Sequence, residues 1–183
     1  MKNERDFAQY LAELAKACGF TAVSPLDVAA LEFLPEVREM CAADRCRHYN
    51  KSWACPPACG DISECRRHIG RYKNAILVQT VASLEDALDG EGMMEAEARH
   101  RENFAKMYER LRKEYPNMLA LGAGGCSLCE KCGYPDEPCR FPDKMTSSME
   151  GYGMLVTQVC TAAGLRYYYG PMTIAYCGCF LLE

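Results

Sequence analysis

Gly122-Ala-Gly-Gly-Cys126-Ser-Leu-Cys129-Glu-Lys-Cys132-Gly-Tyr-Pro-Asp-Glu-Pro-Cys139-Arg-Phe-Pro142 is the stretch around which this chain is organised, and we call residues 122–142 loop two. Cys126, Cys129 and Cys132 recur at every third residue, and Cys139 follows seven residues later. Three thiolates at this interval can reach three corners of one iron–sulfur cube, and Cys139 is the local candidate for the fourth. The spacing therefore favours a [4Fe-4S] cluster in loop two.

Zinc is the alternative metal for loop two. A structural zinc site usually combines two short Cys-x-x-Cys hairpins from separate parts of the chain, rather than three cysteines within seven residues. Purely structural thiols fit poorly. Buried cysteines behave as small apolar residues, whereas these four lie among glycine, proline and charged residues.

A second cysteine-rich stretch covers residues 41–65, which we call loop one. Its five cysteines are Cys41, Cys46, Cys55, Cys59 and Cys65. The first three, with Cys59 or Cys65 as the fourth, provide enough ligands for another centre, which is either an iron–sulfur cluster or zinc. We favour Cys59, because residues 63–69 read as the start of a helix whose own face would orient Cys65.

Length and composition indicate one domain spanning residues 1–183. The net charge of −4 and a pI near 5.5 provide no basic patch, so we expect no nucleic-acid partner. The N-terminus resembles neither a signal peptide nor an anchor, and no run of about 18 apolar residues predicts a membrane span. We therefore expect a cytoplasmic protein. In that reducing compartment, 13 cysteines indicate metal rather than a disulfide framework.

The periodicity of apolar residues predicts an α+β or α/β fold with a sheet of about four to five strands. Its expected elements are helices at 4–18, 93–115 and 147 to about 160, and strands at 74–81, 118–121 and 172–182, with one or two short strands in 20–37.

The helix expected at Ser147 depends on a capping-box pattern, Ser147-Ser-Met-Glu150. Its positive N-terminal end would lie near Cys139 and stabilise an anionic group there. The three histidines, His48, His68 and His100, are each expected to be solvated. Three further cysteines, which are Cys18, Cys177 and Cys179, are expected in the apolar core rather than on metal.

Three segments together carry a family resemblance. They are Cys41…Cys46-x-x-Tyr49-x-x-Ser52-Trp53-x-Cys55-Pro56-Pro57, then Leu121-Gly-Ala-Gly-x-Cys126-x-x-Cys129-x-x-Cys132…Cys139-Arg-x-Pro142, then Ser148-Met-Glu-x-Tyr-Gly153. This combination resembles the domain of unknown function 2284 family of predicted metal-binding proteins. The resemblance implies metal binding and leaves the activity open.

The abundance of thiol ligands favours electron transfer or redox sensing by one or two [4Fe-4S] clusters, with a redox partner protein. The chain shows no Ser-His-Asp set, phosphate loop or dinucleotide fingerprint. One alternative is an enzyme in which an open iron acts on a small molecule, assisted by Glu150, Arg140 or Tyr152. The other is a zinc-stabilised interaction module.

Overall fold

The computed structural model describes residues 4–183, and the sequence expectation for residues 1–3 lies outside that range. In chain order the elements are α1 (Glu4–Cys18), β1 (Ala22–Leu26), a short 3₁₀ helix (Val28–Ala30), α2 (Pro35–Ala42), α3 (Ile62–Ile69), β2 (Asn74–Ser83), α4 (Gly90–Glu114), β3 (Leu119–Gly122), β4 (Ser147–Ser148), α5 (Val156–Ala162) and β5 (Thr173–Leu182). Within residues 4–183, every helix is too short or too polar to cross a lipid bilayer.

The strands of residues 4–183 form one five-stranded mixed sheet in the order β1-β2-β5-β3-β4. At its centre, β2 and β5 pair antiparallel over their full length, from Asn74 opposite Leu182 to Ser83 opposite Thr173. β1 joins β2 and β3 joins β5, both antiparallel, while β4 lies parallel to β3. The expected α+β class and the expected number of strands are confirmed.

Helices cover both faces of the sheet, because the side chains of β2 and β5 alternate between two apolar layers. Ile76 and Val78 of β2 pack with the buried side chains of α1 and α4. Leu77 faces the other way and packs with α3 and α5. A central strand that is buried on both faces is a nearly continuous apolar run, as residues 75–78 are.

Most of the expected elements are present. α1, β2, α4, β3 and β5 lie within two or three residues of their expected bounds. The segment 20–37 contains one strand, β1. The end of this segment is helical rather than extended, because Pro35 begins helix α2. Proline suits this first helical position, where its missing N–H would have no partner within the helix.

The helix expected at Ser147 is wrong. Ser147 and Ser148 instead form β4 beside β3, and the Ser148 hydroxyl oxygen accepts a hydrogen bond from Gly151 N at 2.9 Å. Gly153 has φ +82, which a right-handed helix does not contain. The actual helix, α5, begins at Val156 after Leu155, which makes no side-chain cap. No helix therefore begins at Ser147, and the expected positive helix end near Cys139 is absent.

Candidate metal centres

Loop two leaves the sheet at the end of β3, and the chain returns to the sheet at β4. Burial raises the pKa of the Cys126 thiol above its ordinary value, while a hydrogen bond from Leu128 N–H opposes that rise. Negative charge on Cys139, Cys129 and Cys132 would raise the Cys126 pKa further. Cys126 thus lies within electrostatic range of the other three thiols of loop two, which is the proximity that a shared centre requires.

Hydrogen-bond donors surround the sulfur of Cys132. Burial opposes ionisation of this thiol, but hydrogen bonds from Trp53 N–H, Tyr134 N–H and the Ser52 hydroxyl outweigh it and lower the Cys132 pKa. Donors of this kind stabilise a thiolate, which is the form that binds metal. Two of the three donors come from loop one, so the two loops meet at this sulfur.

Arg140 holds a second part of loop two together. Its guanidinium donates to Lys131 O at 2.9 Å and pairs with Glu137 at 2.8 Å. Hydrogen bonds to Glu137 and to the thiol of Cys129 raise the Arg140 pKa. The Arg140 guanidinium therefore connects Cys129 with Glu137 and Lys131 within loop two.

The thiols of loop one form a second neighbourhood. Burial raises the pKa of Cys55 to about 11, and charge on Cys46, Cys59 and Cys41 contributes to the same shift. Burial also raises the pKa of Cys41, followed by the charges of Glu150 and Cys46. Ionising these thiols together is unfavourable without a cation, because burial and like charges both oppose it.

Cys65 lies directly behind Cys59. Cys65 belongs to helix α3, and its side chain is buried in the core. Its sulfur is 3.5 Å from Cys59 O. A hydrogen bond between the two thiols raises the pKa of Cys59. Cys59 lies within electrostatic range of Cys41 and Cys55. The preference for Cys59 as ligand stays a prediction.

Two contacts with the thiols of loop one were not predicted from the sequence. The Arg38 guanidinium donates to Gly60 O at 2.8 Å and lies 3.8 Å from the Cys59 sulfur. It also donates to Gly151 O. The backbone oxygen of Glu150 is 3.7 Å from the Cys41 sulfur. Arg38 lies three residues before Cys41 and Glu150 lies far beyond loop one in the sequence, so cysteine spacing alone could not indicate either contact.

The side chain of Glu150 is half-buried, and its Oε2 atom is shielded from solvent. Burial raises its pKa, against hydrogen bonds from its own N–H, from Gly124 N–H and from the Ser148 hydroxyl. Its Oε2 has no hydrogen-bond partner among the described residues. Since Gly124 belongs to loop two and Cys41 to loop one, Glu150 lies between the loops. It is not part of a capping box.

The two loops also pack on each other through aromatic residues. The Trp53 indole N–H donates to Glu137 O at 2.9 Å, and the Trp53 and Tyr134 rings meet edge to face at 4.9 Å. Tyr134 in turn donates to the Asn50 side chain at 3.0 Å. A side chain at Gly125 would collide with the His48 ring, so these residues are in close contact.

Within residues 4–183, no group of three or more Cys, His, Asp or Glu side chains is arranged to hold a metal ion. The structure gathers the predicted ligands into two neighbourhoods, with Cys126, Cys129, Cys132 and Cys139 in one, and Cys41, Cys46, Cys55 and Cys59 in the other. Their role as metal ligands remains a prediction.

Contrary to the expectation of solvated side chains, two of the histidines have side-chain hydrogen-bond partners. His100 is 8% exposed, its Nδ1 is 3.0 Å from the Thr80 hydroxyl, and burial lowers its pKa to about 4. His68 is half-buried, with Nδ1 at 3.1 Å from the Tyr152 hydroxyl. The charged residues beside each histidine in the sequence did not predict its exposure, because they lie on other faces of its helix.

The cysteines expected in the core do lie there. Cys18, the last residue of α1, packs in the layer that α1 forms with α4. Cys177 and Cys179 share the face of β5 that packs on α3 and α5. Burial raises the pKa of Cys179 to about 12, so this thiol stays protonated.

A cleft of about 680 Å³ opens beside loop two, a volume typical of small-molecule sites. Helix α4 forms one wall through Phe104 and Tyr108, and residues 122–128, including Cys126, form the other. Tyr176 and Cys177 of β5 also line it. Sequence analysis missed this cleft, since its walls come from three separate segments.

The fold and the two cysteine neighbourhoods define an α+β protein whose paired cysteine loops pack against each other beside a cleft. The chain belongs to the domain of unknown function 2284 family of predicted metal-binding proteins, whose family model matches residues 24–182. The match includes both loops and the cleft-lining residues. None of the curated proteins matches the chain significantly, and neither does any solved structure.

Proposed function

We propose that the chain is a single-domain, cytoplasmic iron–sulfur protein that carries one [4Fe-4S] cluster in each loop and works in electron transfer or redox sensing with a redox partner protein. The observation that carries this proposal is the Cys126-x-x-Cys129-x-x-Cys132 turn, with Cys139 close enough to act electrostatically on Cys126. Thiolates are the ligands that such clusters use.

The surroundings of the sulfurs fit this group. Cys126 and Cys132 receive hydrogen bonds from backbone N–H groups, and Cys129 lies beside Arg140. Hydrogen bonds to cluster sulfurs and nearby positive charge tune the reduction potential of such a centre. When bound, the clusters would supply one-electron chemistry. The contacts between the loops would hold the two centres close to each other.

Metal and sulfide analysis of anaerobically purified protein tests the proposal. Replacing Cys126, Cys129 or Cys132 by serine should remove about four irons, one cluster's content. Cys46→Ser should remove the iron of the other centre. Cys18→Ser, a change in the core far from both loops in sequence, is the matched control and should leave the iron content unchanged. Zinc without sulfide, or iron that survives all the loop substitutions, would contradict the proposal.

The cleft favours a second candidate, an enzyme in which an iron of the loop-two cluster lacks a protein ligand and binds a small molecule. Cys126 lines the cleft, so a molecule held there would lie beside that centre. An open iron should bind cyanide and shift the cluster's absorption. Ala105→Trp, which fills the cleft from α4, should block that shift. A spectrum that is insensitive to cyanide would indicate complete ligation and pure electron transfer.

A further inference from the structure

Two cysteines outside both loops lie side by side in the core. Cys160 of α5 and Cys177 of β5 have their sulfur atoms 3.8 Å apart. Both side chains are almost fully buried. A disulfide needs about 2.05 Å between the sulfurs, so the two side chains must rotate towards each other to join.

A buried amide organises this pair. The Gln79 Nε2 donates to the Cys160 sulfur at 3.3 Å and to the Cys177 sulfur at 3.4 Å, and also to Arg166 O at 2.9 Å. Its Oε1 accepts a hydrogen bond from the Tyr169 hydroxyl at 2.7 Å. Gln79 is fully buried, and burying an amide is costly unless its hydrogen bonds are made. The fold thus directs an N–H donor at both sulfurs. The hydrogen bond between the two thiols, followed by burial, raises the pKa of Cys177, while the same bond lowers the pKa of Cys160, so Cys160 is the thiol that ionises more readily.

The pair lies within electrostatic range of Glu150, which also acts on loop one. Residue 177 borders the cleft that Cys126 also lines, but its side chain packs on the opposite face of the sheet, with α3 and α5. The Glu150 carboxylate acts electrostatically on Cys177 and also on Cys41 of loop one. Burial shields both sulfurs from bulky thiol reagents, since exchange requires direct attack on sulfur. Electron transfer to a nearby metal centre requires no such contact.

We propose that Cys160 and Cys177 form a two-electron dithiol–disulfide site that exchanges its electrons with the two metal centres. The proposal rests on the function proposed above, because the two oxidised clusters are the electron acceptors. On oxidation the two S–H bonds would break and one Sγ–Sγ bond would form, releasing two protons and two electrons, and the clusters that the two loops would hold would take up one electron each. Reduction of the disulfide by two reduced clusters is the reverse.

Peptide mapping of the wild-type protein tests the disulfide directly. Anaerobic samples are poised at a series of potentials with small redox dyes, quenched in acid, denatured, alkylated and digested with trypsin. Cys160 falls in peptide 145–166, whereas Cys177 falls in peptide 167–183. We expect the two peptides to be linked in oxidised samples, and separate and fully alkylated in reduced samples.

Controls keep this result specific. Cys179 shares peptide 167–183 with Cys177, so Cys179→Ser should still give the linked product, whereas Cys177→Ser should not. Cys18, a buried cysteine outside the pair, should be alkylated at every potential. Peptides that are never linked, or links that involve Cys18 equally, would overturn the proposal.

Reductive titration then tests the exchange with the clusters. Oxidised wild-type protein should take up about two more electrons than Cys160→Ala with the same iron content, since the disulfide is a two-electron couple. Equal electron counts would overturn the exchange. Iron and sulfide are measured on the same samples. Their absence would refute the proposed function and the exchange with it, whereas loaded clusters with unlinked peptides would refute the dithiol site alone.

Discussion

At the scale of single residues, Cys139 decides how the ligands are shared between the two centres. In two-cluster ferredoxins the cysteine followed by proline ligates the other cluster, and in this chain Cys55 precedes Pro56. A simple scheme gives Cys139 to the loop-two centre, and a crossed scheme exchanges ligands between the loops. The proximity of Cys139 to Cys126 favours the simple scheme.

We predict that Cys139→Ala destroys the loop-two cluster and leaves the loop-one cluster in place. The physical reason is that Cys139 is the nearest remaining thiol and closes a short loop at little entropic cost. Electron paramagnetic resonance of the reduced protein, with iron analysis, measures the loss. Cys65→Ala is the matched control and should retain both signals. Loss of the loop-one signal with survival of the other would establish the crossed scheme.

His100 gives the protein a defined dependence of stability on pH. Its folded pKa of about 4 lies below the ordinary value of 6.5, chiefly because of burial. The unfolded chain therefore binds the proton more readily, so the stability from neutral His100 is complete above pH 6.5 and is lost as the pH falls towards 4. The loss should reach about 3 kcal/mol at the acidic end.

We predict that His100→Asn makes the free energy of unfolding fall less steeply between these two pH values than it does in wild type. Urea unfolding at a series of pH values measures the slope. Iron content at each pH must be equal in both proteins, because metal loss would also reduce stability. Identical slopes at equal iron content would contradict the neutral, buried state of His100.

Local sequence identified the cysteines but not their neighbours. Ligand spacing is a property of a few consecutive residues, so the candidate ligands of loop two could be named without a structure. Arg38, Gln79 and Glu150 interact with cysteines that are distant in sequence, and only the fold brings them together. The buried state of His100 depends likewise on β5 and Thr80.

At the scale of secondary structure, the packing of α4 on the sheet depends on a glycine in the central strand. A Cβ at Gly178 would lie 2.5 Å from the Phe104 ring. Phe104 stacks on Phe180 with the ring centroids 4.6 Å apart, and it also lines the cleft. β5 and α4 can therefore approach closely only where the strand lacks a side chain.

We predict that Gly178→Ala lowers the free energy of unfolding by about 1–3 kcal/mol, the usual cost of overpacking a core. Gly122→Ala is the matched control, because a Cβ there meets nothing within 4 Å and the residue has no positive φ. Chemical denaturation of the iron-loaded proteins compares the two. Equal stability of both variants would show that Phe104 moves aside without cost.

Elements with a strong apolar period were predictable, whereas the Ser147 segment was not. The periodicity of α4 and the apolar runs of β2 and β5 reflect burial, and burial decides these elements. Ser147-Ser-Met-Glu150 matches a capping box, but its polar side chains bond to turn and loop amides instead. Serine and glutamate satisfy backbone groups in turns as well as in helices, so the pattern has two structural solutions.

At the scale of the whole molecule, the two loops pack against each other although the chain between them contains two of the five strands and helix α4. Trp53 is central to this contact, because its N–H reaches Glu137 and its ring meets Tyr134. Cys132 accepts hydrogen bonds from residues of loop one. Because Trp53 is the single tryptophan of the chain, its fluorescence reports on the contact between the loops.

We predict that removing the metal separates the loops and shifts the Trp53 emission to longer wavelength, since the half-buried indole becomes solvated. The metal should also raise the melting temperature, because binding to a site absent from the unfolded chain contributes directly to folding. Anaerobic chelation, followed by emission spectra and thermal melts before and after reconstitution with iron and sulfide, measures both changes. Tyr134→Leu, which removes the ring contact and the hydrogen bond to Asn50 but no thiol, should shift the emission while the iron content stays unchanged. An emission spectrum and a melting temperature that do not respond to chelation would show that the loops are held by their own contacts and owe nothing to metal.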